Sequence, residues 1–88
     1  MSQRFDLEAA HNHSALHRDE IMASEICGCF YCRKTFASDK IVEWTDEDGN
    51  GIDQTAICPK CGIDSVIGSA SGYPITLDFL SEMKQHWF

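Results

Sequence analysis

Two short runs decide how this chain folds: Cys27-Gly28-Cys29-Phe30-Tyr31-Cys32 and Cys58-Pro59-Lys60-Cys61-Gly62. The pairs Cys29/Cys32 and Cys58/Cys61 share one spacing, with two residues between the thiols, and 25 residues separate the pairs. A turn that tight sets both sulfurs on one side of the backbone, at two corners of a tetrahedron, with the following amides aimed at them. Two matching knuckles make a four-thiolate set, so the spacing predicts one Zn²⁺ held by Cys29, Cys32, Cys58 and Cys61. Gly62 lets the backbone close the second turn, and Pro59 stiffens it. Four thiolates leave no coordination position for water or substrate. The expected role is therefore structural, and the 27–61 region is expected to be largely unfolded without metal.

The rest of the composition fits a small stapled domain. At 88 residues, 43% hydrophobic and 24% charged, the chain suits one soluble domain spanning 1–88. Its expected parts are an N-terminal helix in 1–26, a zinc module in 27–62, and a loop and C-terminal helix in 63–88. A chain of this length buries only about 60–65% of its unfolded surface, so a staple is expected. No apolar run approaches the roughly 20 residues that span a bilayer, and the first residues lack an apolar signal core. The chain therefore reads as cytoplasmic, where closely spaced cysteines favour metal over disulfides. A net charge of −7 opposes anionic membranes and nonspecific nucleic-acid binding. Arg33, Lys34, Lys40 and Lys60 fall in the cysteine region, but so do six acids, which reads as scattered solvated charge. Another protein is the favoured partner, with nucleic acid behind it and no membrane.

Outward from the cysteines, residues 6–25 lack Pro and Gly and read as a helix, with Ala9, Leu16 and Ala23 repeating every seven and Leu7, Ile21, Met22 and Ile26 nearby. Residues 40–45 and 52–58 read as the strands of a β-hairpin around Asp46-Glu47-Asp48-Gly49-Asn50-Gly51. Residues 63–67 suit a short helical turn and 68–74 a loop. The segment 76–88 reads as a helix with Thr76 as N-cap, Asp78 in its first turn and Lys84 and His86 near its end. Leu80, Met83 and Trp87 share one face with Phe79 beside them, a core stripe. The fold class is α+β: a zinc-stapled hairpin with two knuckles, packed with an N-terminal and a C-terminal helix.

A Cys-x2-Cys pair, a Trp-bearing hairpin and Cys-Pro-x-Cys-Gly resemble the zinc-ribbon and treble-clef knuckle folds. The order Trp44, Gly51, Cys58, Cys61-Gly62 is similar to GATA-type fingers, although the loop is longer and the basic residues after the second pair are missing. More closely, C-G-C-F-Y-C from Cys27, C-P-K-C-G-I-D-S-V-I-G from Cys58, and M-K-Q-H-W-F from Met83 resemble a group of short bacterial cytoplasmic proteins. That resemblance covers 27–88 and implies no activity. The stretch from Ile63 to Gly68 followed by Thr76-Leu77-Asp78 is faintly similar to the metal segment of HNH nucleases. The histidine that activates water there is absent, since Asp64 is followed by Ser65, so at most an inactive relative is implied.

Four weaker signals remain. Asp46, Asp48, Asn50 and Gly51 match the opening of an EF-hand loop, but the twelfth position is Ile57, where a bidentate Glu is required. An acidic hairpin turn is the simpler reading. His11, His13 and His17 form His-x-His-x3-His without the Glu of a zincin helix. They read as polar helix residues, with His13 or His17 as the alternative partner of Cys27 in a second metal site. Cys27, the fifth cysteine, reads as a small buried residue where the first helix meets the zinc module. The alternative is a reactive thiol serving a redox sensor or a thiol enzyme. The loop Gly68-Ser69-Ala70-Ser71-Gly72-Tyr73-Pro74 reads as a connection, or as a cradle for an anion or a partner's backbone.

Overall fold

The computed structural model describes residues 6–88. Its helices are α1 (Leu7–His11), α2 (Arg18–Met22) and α3 (Leu77–Trp87). Its strands are β1 (Cys27–Cys29), β2 (Thr35–Phe36), β3 (Trp44–Glu47), β4 (Asp53–Ala56) and β5 (Val66–Gly68). They form two antiparallel sheets, one ordered β2-β1-β5 and the other a β3-β4 hairpin. The start of the expected N-terminal segment, residues 1–5, lies outside the described residues.

The three-stranded sheet is covered on both faces, and strand alternation sorts its side chains. Cys27, Cys29 and Val66 pack on one side with Ile21, Phe36, Ile41, Ala56 and Cys58. Ile67 and Phe30 pack on the other with Leu7, Ala10, Phe79, Leu80 and Met83. Gly28 lies between Cys27 and Cys29, where a Cβ would come within 2.9 Å of both Ile75 Cγ2 and Leu80 Cδ1. A side chain there would push α3 off the sheet.

The C-terminal helix forms as its sequence predicts. Thr76 Oγ1 accepts a hydrogen bond from the Phe79 amide at 3.3 Å, and Phe79, Leu80 and Met83 are fully buried. Trp87 is different from the core residue the stripe implies. Its ring is partly exposed, and its indole N–H donates to the Leu7 carbonyl at 3.1 Å, tying α3 to α1.

The long helix expected over 6–25 is broken. After α1 the chain makes a 3₁₀ turn (Asn12–Ser14), and Leu16 adopts a positive φ of 51° and is exposed. The cause is pairing with the hairpin. Leu16 N–H donates to Thr55 Oγ1 at 2.8 Å, and His17 N–H donates to the Gln54 carbonyl at 2.8 Å. The His17 ring finishes the contact: Nδ1–H donates to the His13 carbonyl at 2.6 Å, and Nε2 accepts the Ala56 amide at 3.1 Å. The segment thus spends its backbone groups on the free edge of β4 instead of on a continuous helix.

This geometry fixes His17 as a neutral imidazole, since protonating Nε2 would remove the acceptor for Ala56. Burial lowers its pKa, and that effect outweighs the His13 carbonyl and Glu20, which favour the charged form. The unfolded chain takes up a proton near pH 6.5 while the native state resists it. The resulting stability is therefore full above that pH and declines as pH falls toward the lowered native value. Chemical denaturation from pH 8 to 5 should show wild type losing more stability on acidification than His17→Gln. Equal pH slopes would remove His17 from the acid response.

A hairpin forms, but its first strand is shifted from the expected 40–45: Lys40 closes a 3₁₀ turn, β3 starts at Trp44 and runs through Glu47 into the expected loop, and β4 falls within 52–58. The register is Trp44 opposite Ala56, Thr45 opposite Thr55 and Glu47 opposite Asp53. The short helical turn expected at 63–67 is instead the approach to β5. Val66 and Ile67 are β-branched, and they pair with Cys29 and Gly28 of β1.

Candidate metal centre

The two knuckles have the same backbone. In the first, Arg33 N–H donates to the Cys29 carbonyl at 2.7 Å and Cys29 N–H to the Lys34 carbonyl at 3.1 Å. In the second, Gly62 N–H donates to the Cys58 carbonyl and Cys58 N–H to the Ile63 carbonyl, both at 2.9 Å. The residue after each second cysteine is left-handed, Gly62 at φ 79° and Arg33 at φ 63°. Glycine takes that conformation freely, whereas arginine does so under strain.

These turns bring Cys29, Cys32, Cys58 and Cys61 together, with all four sulfurs within 4.8 Å of one another. The cross-knuckle distances are 3.6 Å for Cys29–Cys61 and 3.8 Å for Cys32–Cys58. A tetrahedron with metal–sulfur bonds of about 2.3 Å has edges of about 3.8 Å. The four cysteines can therefore hold one metal ion with little rearrangement. Cys29 and Cys58 are buried, and Cys32 and Cys61 lie nearer the surface.

The surroundings favour thiolates unevenly. Burial opposes charge on Cys29, but the Ser65 hydroxyl at 3.0 Å and the amides of Cys32 and Tyr31 outweigh it and pull its pKa below the usual thiol value. Burial dominates at Cys58 and Cys61 and raises both, although amides of Lys60 and Cys61 point at Cys58 and that of Ile63 at Cys61. A cation between the sulfurs reverses that penalty, because coordinating thiols are deprotonated. The sequence reading missed Ser65. Pairing of Val66 with Cys29 sets it beside the sulfur, and that register lies 37 residues apart in the chain.

No protein-family model, curated protein or solved structure matches this chain.

The other candidates scatter. His11 packs tilted against Trp87 with ring centroids 4.1 Å apart, His13 Nδ1 meets both Glu20 oxygens at 3.0 Å, and His17 serves the hairpin. Among the described residues they form no metal cluster with Cys27, since the four-cysteine group is the one cluster found. Cys27 is fully buried in the core, and burial pushes its thiol up to about 11. A thiol reagent should therefore label Cys27 in the metal-bound chain only as fast as the chain unfolds. Rapid labelling with the metal retained would overturn its role as packing.

The acidic hairpin turn serves itself. One Asp48 oxygen accepts the amides of Asn50 at 2.7 Å and Ile52 at 3.1 Å, while the other accepts Gln54 Nε2 at 2.9 Å. Asp48 is thereby committed to closing the loop, as the hairpin reading implies. The 68–74 loop is likewise committed: its amides at Ser69, Ala70, Gly72 and Tyr73 all have partners within the chain. It contains a 3₁₀ turn (Ser69–Ser71) and offers no ready cradle for an anion.

Proposed function

We propose that this chain is a small structural-zinc module, not itself an enzyme, whose work is to present a metal-stapled surface to another protein. The observation that carries the reading is the closed set of four sulfurs, whose cross-knuckle distances suit tetrahedral zinc–thiolate bonding. The soft thiolate donors favour zinc over the hard cations that prefer oxygen. Cys29 and Cys32 sit at the turn between β1 and β2, while Cys58 and Cys61 lead into β5 of the same sheet. A strand in that position supports the zinc-ribbon-like expectation over the treble-clef-like one. A protein partner fits the net charge of −7 better than nucleic acid does. A bacterial cytoplasmic setting is part of the same reading, carried by the sequence resemblance.

Elemental analysis of the purified chain tests the metal, with one zinc per chain expected. Cobalt substitution should give the intense visible spectrum of a tetrahedral thiolate site. A folded chain without stoichiometric metal, or one loaded with another metal in vivo, would overturn the zinc assignment. Salt-sensitive binding of short duplexes that disappears on replacing Arg33 or Lys34 would favour nucleic acid over protein.

A further inference from the structure

The β3-β4 hairpin carries a groove of about 470 Å³, lined in part by Arg18, Val42, Glu43, Trp44, Ile52 and Asp53. Val42 is 80% exposed and Ile52 48%, and both line the groove together with Trp44. Neither apolar side chain is needed for the core. The groove also has a sign. From Ile41 to Pro59 the chain has five acids (Glu43, Asp46, Glu47, Asp48 and Asp53) and no lysine or arginine. Asp48 is used by its own loop, but among the described residues no lysine or arginine forms an ion pair with Glu43, Asp46, Glu47 or Asp53.

The chain shows which chemistry this floor accepts. The Arg18 guanidinium lies 4.5 Å from the Trp44 ring centre, and its Nη1 donates to the Asp53 carbonyl at 2.8 Å. One guanidinium is thus already bound by the indole face and a hairpin carbonyl. Among the described residues it leaves the neighbouring Glu43 and Asp53 carboxylates without a lysine or arginine ion pair.

We propose that this groove docks an extended, cationic segment of a partner protein. Lysine or arginine head groups would meet the Glu43 and Asp53 carboxylates, and aliphatic side chains would cover Val42 and Ile52. The distance from Val42 to the end of β3 corresponds to about five residues of extended chain. Its charge disfavours nucleic acid at the same place. The inference rests on the module reading above and names the partner's chemistry.

The test uses the full metal-loaded chain, labelled with ¹⁵N. It is titrated with a capped heptapeptide of alternating arginine and valine, and with a counterpart carrying glutamate for arginine. Shifts should centre on Val42, the Trp44 indole and Ile52, weaken with added salt, and be absent with the glutamate peptide. Val42→Ser/Ile52→Ser keeps the net charge and should weaken binding about tenfold, near 1.4 kcal/mol. Glu43→Lys should weaken it as well. Binding that survives the double serine variant is diffuse attraction to an acidic protein and overturns the proposal. So do shifts centred on Tyr31 and Phe88, equal binding of the glutamate peptide, preferential binding of a single-stranded oligonucleotide, or self-association through 42–52. Metal content and cooperative unfolding are measured on the same samples. A metal-loaded, folded chain that ignores the peptide sinks the docking site alone, whereas loss of metal from the wild type sinks the module reading.

Discussion

Cys58→Ser should leave a chain that neither holds metal stoichiometrically nor unfolds cooperatively. Cys58 is the more buried cysteine of its knuckle and lies 3.8 Å from Cys32, and its sulfur accepts the Lys60 amide at 3.3 Å. Structural zinc sites contribute about 10–16 kcal/mol in apparent binding free energy. Whole small domains are stable by about 5–15 kcal/mol. A zinc ion bound there would thus contribute as much as the net stability of a domain this size, and a three-thiol remnant could not replace it. The structure shows why the loss should spread. Cys27, Cys29 and Cys58 belong to the same buried cluster as Ile21, Ala56 and Val66, so the site joins α2, β1, β4 and β5. Elemental analysis and urea unfolding followed by circular dichroism read both consequences. Cys27→Ala is the control: it shortens a core side chain two residues from a ligand and should retain full metal, with a loss of only about 1 kcal/mol. A folded, cooperative, metal-free Cys58→Ser chain would overturn the role of the site, as would equal metal loss from Cys27→Ala.

The centre was legible because its determinants are local. A Cys-x2-Cys knuckle needs four residues and a turn, and both copies are written contiguously. The hairpin was legible for the same reason, its turn formers standing between two β-rich runs. Long-range pairing was not. Nothing near Ile63 announces that Val66 and Ile67 will pair with β1, and their apolar run suits a helical turn as well as a strand. The break at Leu16 was hidden by a different mechanism. The buried positions of the N-terminal segment are Leu7, Ala10, Ser14, His17, Ile21 and Ser24, spaced by threes and fours as on one helix face. Half of them are polar, so the apolar pattern holds only Leu7 and Ile21 of the large buried positions beside the seven-residue repeat Ala9, Leu16 and Ala23, of which Leu16 and Ala23 are exposed. Serine and histidine are buried here because each has a backbone partner: Ser14 Oγ on the His11 carbonyl, Ser24 Oγ on that of Glu20, and His17 on the hairpin. Such partners exist only once the chain is folded.

Ser24 also sets the second large effect, expected at Gly68. In β5, opposite Cys27, Gly68 has no room for a side chain. A Cβ there would lie 2.9 Å from Ser24 Cβ and 3.2 Å from Ile21 Cδ1, and closer still to Ser24 Oγ. Ser24 cannot step aside freely. Its hydroxyl donates to the Glu20 carbonyl at 2.8 Å and accepts the Ala70 amide at 2.9 Å, clamping α2 to the turn after β5. The reciprocal contact holds the same junction, since Ser69 Oγ accepts the Glu25 amide at 3.2 Å. Gly68→Ala must therefore push α2 from the sheet or break the clamp. Overpacking together with a lost buried hydrogen bond gives a destabilisation of about 2–4 kcal/mol. For a domain of this size, that lowers Tm by about 10–20 °C. The cause can be separated from glycine's backbone freedom, because Gly68 has an ordinary strand conformation that alanine can adopt. Ser24→Gly removes the two nearest obstructing atoms and leaves Ile21 Cδ1 at 3.2 Å. The double variant should therefore be less destabilised than the two singles added together, by about 1–2 kcal/mol of coupling. Additive losses would show that Gly68 matters for some reason other than the approach of α2.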